Sequence, residues 1–159
     1  VTVDNLIRAI ASFERTLVSG PTAFDRYVFE ADLGAMSPAA RRGMTLFFSA
    51  RTGCAQCHGG PALTGTLRAV GQEDAPSVYV ATGVGDGAAY KVPGLRNVAR
   101  TAPYMHDGSL PTLRAVVDFY DRGGNGGGRL SPLRLTPREK ADLVAFLESL
   151  TDPPEVSRP

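Results

Sequence analysis

The chain has 159 residues, a length that fits one domain with room for an extension and is enough to bury a substantial core. Its 17 basic and 16 acidic residues give a net charge of +1 and are interspersed, so electrostatics implies neither nucleic acid nor an anionic membrane as a partner. No apolar run reaches the length of a membrane span, and the first residues lack the basic-then-apolar look of a signal peptide.

Eighteen glycines and twelve prolines without a tryptophan predict short helices joined by long, ordered loops. The first helix is expected from Val3 to Ser19, where Val3, Leu6, Ile7, Ile10, Phe13 and Leu17 recur at helical spacing and Gly20-Pro21 is a stop. Thr22 to Met36, with Phe24, Tyr27, Phe29 and Leu33 as scattered apolar anchors, reads as a connection without a long regular element that bridges two units. Ser37-Pro38 is an N-cap followed by proline at the first helical position, and a second helix is expected from there to about Ala50, with Gly53 closing it.

Directly afterwards come Cys54-Ala55-Gln56-Cys57-His58, which contain both cysteines of the chain. C-x-x-C-H is the attachment pattern of a c-type haem. Each thiol can add across a porphyrin vinyl group as a thioether, and the adjoining histidine reaches the iron as the proximal ligand. A structural zinc site would need four ligands, and the remaining histidine, His106, has no second histidine or cysteine beside it. A thioredoxin-like dithiol would be expected near a βαβ pattern, whereas the flanks here are helical before and glycine-rich after. Haem attachment follows export in c-type cytochromes, so the protein is expected in the periplasm with a signal peptide already removed.

From Gly59 to Thr101 glycine and proline recur every few residues, and short apolar runs such as Ser77 to Ala81 cannot form a sheet alone, so the stretch reads as loop wrapping the haem. A third helix is expected from about Leu113 to Asp121, bounded by Pro111-Thr112 and Gly123-Gly124, with Leu113, Val116, Val117 and Tyr120 as its stripe. Gly123 to Gly128 is low-complexity loop. The last helix opens on the capping box Thr136-Pro137-Arg138-Glu139, buries Leu143, Val144, Phe146, Leu147 and Leu150, and is expected to end at Thr151 before Pro153-Pro154. The fold class is all-α: a cytochrome c-like domain over 37–151 with covalent haem c and long loops, an N-terminal helical extension over 1–36, and a tail over 152–159. The helix before the motif and the last helix are expected to cross.

What faces His58 across the iron sets the chemistry, because a sixth ligand favours electron transfer and an open position admits peroxide or oxygen. Met105 lies in the irregular stretch Thr101 to Gly108, where small cytochromes often find their second ligand; Met36 and Met44 are too close to the attachment helix. His106 is a bis-histidine candidate, and Tyr120 completes an apolar stripe that turns its phenol inward. Spacing alone ranks Met105 before Tyr120.

The chain resembles the C-terminal half of the bacterial di-haem cytochrome c peroxidases and MauG enzymes. The resemblance runs through Ala9 to Leu17, the block from Gly43 to the haem motif, Lys91-Val92-Pro93-Gly94-Leu95-Arg96-Asn97-Val98, the Thr101 to Gly108 loop and Thr112-Leu113. It implies that the distal ligand comes from the helix after the loop, at Tyr120, with Met105 as the alternative; the family's peroxidases usually carry methionine there and MauG-like members tyrosine. A phenol oxygen stabilises Fe(III) and higher oxidation states, whereas a thioether favours Fe(II). The resemblance also implies a calcium ion between two haem domains, with carbonyls from Thr101 and Pro103, and a place for Arg96 either at a haem propionate or bracing the loop.

Family members carry two C-x-x-C-H motifs, the peroxide-reactive haem belonging to the first, and this chain has one. The resemblance therefore implies an electron-relay and charge-storing domain of an oxidoreductase that acts with a second haem domain or redox partner protein, and with hydrogen peroxide as oxidant of the complete enzyme. A self-standing mono-haem cytochrome that only carries electrons is the alternative. Peroxidase activity of this haem alone is a third reading, requiring a labile sixth ligand. The apolar face of the first helix belongs before the minimal cytochrome unit and needs a cover.

Overall fold

The structure is a computed structural model that describes residues 2–16, 20–65, 92–124 and 130–153. Among the described residues six helices and one 3-10 turn follow in order: α1 (Val3–Glu14), α2 (Ala23–Phe29), α3 (Pro38–Phe47), α4 (Cys54–Cys57), the 3-10 turn Val98–Arg100, α5 (Leu113–Asp121) and α6 (Pro137–Glu148). The described residues contain no extended strand, only two isolated bridges, Gly59 to Thr64 and Tyr104 to Leu110. The chain is all-α, as its punctuation by proline and glycine predicts. Leu17 to Ser19, the run Ser77 to Ala81, Lys91, the loop residues 125–128 and the tail beyond 153 lie outside the described residues.

Capping chemistry sets the helix starts. Ser37, Thr112 and Thr136 each accept a backbone N–H three residues on, and the Thr136 box is completed by Glu139. The ends differ from expectation at three places, the first at α1, which stops at Glu14. The attachment helix stops at Phe47, and the chain turns through Phe48 to Thr52 before Gly53 adopts a left-handed φ of 64° at the start of α4. The last helix stops at Glu148, although Leu150 just beyond it is fully buried.

The stretch Thr22 to Met36 contains α2, held by a reciprocal capping box between Thr22 and Asp25. Phe24 and Met36 are buried there, whereas Phe29 and Leu33, read as anchors from the sequence, are 69% and 68% exposed. Seven residues are two turns, enough to bury Phe24 but too few to turn every apolar residue inward.

The core forms where α3 crosses α6. The Phe47 and Phe146 rings meet at 5.0 Å between centroids, and Phe24 packs edge-on against Phe146 at 5.8 Å. Gly43 makes the close crossing possible: a Cβ there would lie 1.9 Å from the Asp142 carbonyl oxygen. Beside it, Arg42 donates from Nε and Nη2 to the two carboxylate oxygens of Asp142 at 2.8 and 2.7 Å. α5 lies on the other flank of α6. α1 stands apart from this core: none of its residues is buried, and Val3, Leu6, Ile7, Ile10 and Phe13 are all at least half exposed.

Gly43→Ala will reduce the unfolding free energy by about 1–3 kcal/mol, the usual cost of overpacking a tight contact, and chemical denaturation giving an unchanged value would contradict the crossing described. Arg42, through its hydrogen bonds, holds the Asp142 carboxyl below its ordinary 3.8. The pair therefore stabilises the fold above the unfolded pKa, and that contribution is lost as pH falls through the lowered value. Asp142→Asn will be less stable than the parent at pH 7, and the gap will close on acidification below about pH 4, as followed by thermal melting.

Candidate functional site

Cys54 and Cys57 occupy the ends of the single turn α4, three residues apart, so both thiols project from one side. Both are free of disulfide bonds, and burial pushes the Cys54 thiol up from its ordinary pKa. His58 follows at the C-terminal end, its N–H donating to the Cys54 carbonyl at 2.9 Å. Motif and helical turn are thus the same object.

The imidazole is oriented by the next turn. Its Nδ1 lies 3.2 Å from the carbonyl oxygen of Leu63, which leaves Nε2 as the nitrogen able to ligate a metal. Leu63 is 2% exposed and has a φ of 48°, and it sits in a tight turn closed by Leu63 N–H to Gly60 O at 3.0 Å and by the Gly59 to Thr64 bridge. The ring of Phe47 is 6.5 Å from the imidazole, tying the site to the α3 crossing. Burial lowers the His58 pKa, against a smaller raising effect of the Leu63 and Pro93 carbonyls. The neutral imidazole is the form that binds iron.

Tyr120 is half-buried near the end of α5. Burial raises the Tyr120 phenol above its ordinary pKa, with a smaller contribution in the same direction from Cys57 and Cys54. The last turn of α5 is pinned to α6 by Lys140, whose Nζ donates to Asp118 at 2.9 Å and pairs with Asp121 at 2.7 Å. Asp121 also accepts from the Leu135 N–H at 2.8 Å.

Met105 is half-buried on its loop, with a left-handed φ of 72°. Met36 and Met44 are taken up by the core, the first buried in it and the second packed against it. His106 is exposed. Thr101 and Pro103 are exposed on either side of Ala102, which precedes the cis Ala102–Pro103 bond. Two carbonyls are too few for calcium, which takes six to eight oxygens, so the described residues alone do not make that site. Among them there is likewise no group of three His, Cys, Asp or Glu side chains that could hold a metal ion.

Arg96 braces. Its Nε and Nη2 donate to the Pro61 carbonyl at 3.1 and 2.8 Å, and its Nη1 donates to Asp25. Reading the sequence did not single out Leu63, Pro61 or Asp25. The first two act through backbone carbonyls, which have no residue signature; the Thr22-x-x-Asp25 capping pattern was a readable signal for the third.

The donor set fits a c-type haem: two thiols on one turn, and an adjoining neutral histidine with one nitrogen already engaged. A profile described as RoxA-like, cytochrome c-like matches residues 89–123. The chain is 39% identical to the methylamine utilization protein MauG of Methylorubrum extorquens over 92% of its length and 44% of that protein's. It is 35% identical to the cytochrome-c peroxidase IdrP1 of Pseudomonas sp. (strain SCT), covering 94% of this chain and 50% of the relative. It is also 35% identical to the cytochrome c551 peroxidase of Nitrosomonas europaea, covering 100% and 48%. The chain thus spans about half the length of these relatives. The crystal structure of a MauG-like protein associated with microbial copper homeostasis superposes with a TM-score of 0.78 at 32% identity, covering 100% of this chain and 60% of that one.

Two thiols on one turn beside a histidine predict covalent attachment, so the acid-denatured protein will have the 16.8 kDa mass of the chain plus one haem. Replacing Cys54 and Cys57 together by alanine will return it to the bare chain mass, and a bare mass without those substitutions would contradict the assignment.

Proposed function

Because the chain belongs to the family of bacterial cytochrome c peroxidases and MauG-like proteins, we propose that it is the C-terminal haem c electron-transfer domain of such an oxidoreductase. It relays or stores oxidising equivalents for a peroxide-reactive haem carried elsewhere. The observation that carries this reading is the α4 turn, with Cys54, Cys57 and an oriented His58. The chemistry the bound group supplies is one-electron transfer at its iron.

The side chains have separate tasks. Cys54 and Cys57 tether the porphyrin edge, and His58 offers Nε2 while its Nδ1–H donates to Leu63. Tyr120 is proposed as the ligand on the opposite side, with Met105 as the alternative. Burial favours the protonated phenol in the chain alone, so a haem iron held there would compete with that proton for the oxygen. An anionic oxygen ligand favours the oxidised states of iron, which suits storage of oxidising equivalents.

The uncovered apolar face of α1, from Val3 to Phe13, fits a partner that buries it. A second haem domain is the proposed cover, with hydrogen peroxide as the oxidant of the complete enzyme. Calcium between the two domains would take the Thr101 and Pro103 carbonyls and need further ligands from the other domain. Export to the periplasm is part of the same proposal, since covalent haem attachment follows it. No helix among the described residues is long and apolar enough to cross a membrane. The alternative is a self-standing mono-haem c-type cytochrome that acts only as an electron carrier.

Tyr120→Phe will shift the ferric absorption spectrum towards five-coordinate or water-bound iron, while Met105→Ala will leave it unchanged. The reverse pattern would move the distal assignment to Met105.

A further inference from the structure

We propose that Arg96 is a positioning residue for the proximal histidine: it clamps the turn after the haem motif to α2 and thereby fixes the carbonyl that orients His58. The inference rests on His58 being the proximal haem ligand. The Leu63 N–H to Gly60 bond and the Gly59–Thr64 bridge set the shape of the turn from Gly60 to Leu63, but being internal they do not set its place against α2. Leu63 adopts the left-handed backbone that residues with a side chain rarely take, and its carbonyl must still meet His58 Nδ1. Two external ties reach this turn and its flank. Thr64 donates its hydroxyl to the Val92 carbonyl at 2.6 Å, and Arg96 donates twice to the Pro61 carbonyl, two residues before Leu63.

The far side of the guanidinium explains why the clamp is rigid. Nη1 pairs with the Asp25 carboxylate and lies 3.4 Å from the Thr22 hydroxyl, while the guanidinium carbon sits 5.6 Å over the Phe24 ring. Asp25 accepts from the Thr22 N–H at 2.9 Å and the Thr22 hydroxyl at 2.7 Å. The ion pair is sheltered, with side-chain exposures of 18% for Arg96 and 16% for Asp25. Burial raises the Asp25 carboxyl, and the hydrogen bonds from Arg96 and Thr22 outweigh it, so the group is ionised at neutral pH. One planar fork therefore spans from a carboxylate on α2 to a carbonyl in the haem turn. An ammonium cannot reproduce that span, because it is a compact point charge without a fixed fork.

A firm Nδ1–H to carbonyl hydrogen bond raises the basicity of a ligating imidazole and so favours ferric iron. Releasing the turn weakens that bond, and the midpoint potential rises. The test is a potentiometric titration of the haem-loaded protein and its Arg96→Gln, Arg96→Lys and Asp25→Asn variants, each first shown by denatured mass to carry covalent haem. Arg42→Gln is the control, because it breaks another arginine–aspartate pair, one whose aspartate is buried, without touching the turn. We expect both Arg96 variants to have raised potentials, Asp25→Asn a smaller rise, and Arg42→Gln none despite a lowered melting temperature. Parent potentials in the Arg96 variants, or an equal rise in Arg42→Gln, would overturn the proposal. If Arg96→Gln takes up no haem, Arg96→Lys and Asp25→Asn decide by the same criterion. A parent protein without covalent haem would instead refute the haem reading.

Discussion

The His58 imidazole has two nitrogens, and the rest of the site depends on one of them being spoken for. With Nδ1 against the Leu63 carbonyl, the tautomer and the ring plane are set before any metal arrives, and Nε2 is left to ligate. Burial holds the ring neutral, as ligation requires. The carbonyl keeps its place because Leu63 is buried in a left-handed turn, and the turn keeps its place because Arg96 grips Pro61. A chain of local restraints thus runs from α2 to the proximal nitrogen.

The proposed distal side, α5 with Tyr120, has its own anchorage. α5 is short, and its last turn would fray without the Lys140 contacts to Asp118 and Asp121 and the Leu135 N–H on Asp121. These bonds fasten the turn carrying Tyr120 to α6, which in turn crosses α3 at Gly43. α3 leads through Phe47 towards His58. His58 and the turn carrying Tyr120 are therefore both tied to the same helix crossing.

The C-x-x-C-H motif was legible because it occupies five consecutive positions, and the structure puts its two cysteines on one helical turn. α5 was legible for a different reason: Thr112 caps its start and glycines stop its end, and its predicted span Leu113 to Asp121 matches the structure. α2 was missed because two turns do not establish a period, although its capping box was written in Thr22 and Asp25. The Arg96 clamp joins residues 71 and 35 positions away in sequence, one of them through a main-chain oxygen, and no local pattern encodes such a pairing. The apolar face of α1 was legible as a stripe and its exposure was not, since periodicity reports a face and says nothing of what covers it.

Membership of the cytochrome c peroxidase and MauG-like family turns the central question into the identity of one atom. Peroxidase-like and MauG-like readings of the same scaffold differ in whether sulfur or oxygen faces His58, and that difference decides which oxidation state of iron is favoured. Iron-edge X-ray absorption on the oxidised, haem-loaded protein reads the atom directly. A first shell of nitrogen and oxygen scatterers without sulfur is the predicted result, and a sulfur scatterer at bonding distance would contradict the account.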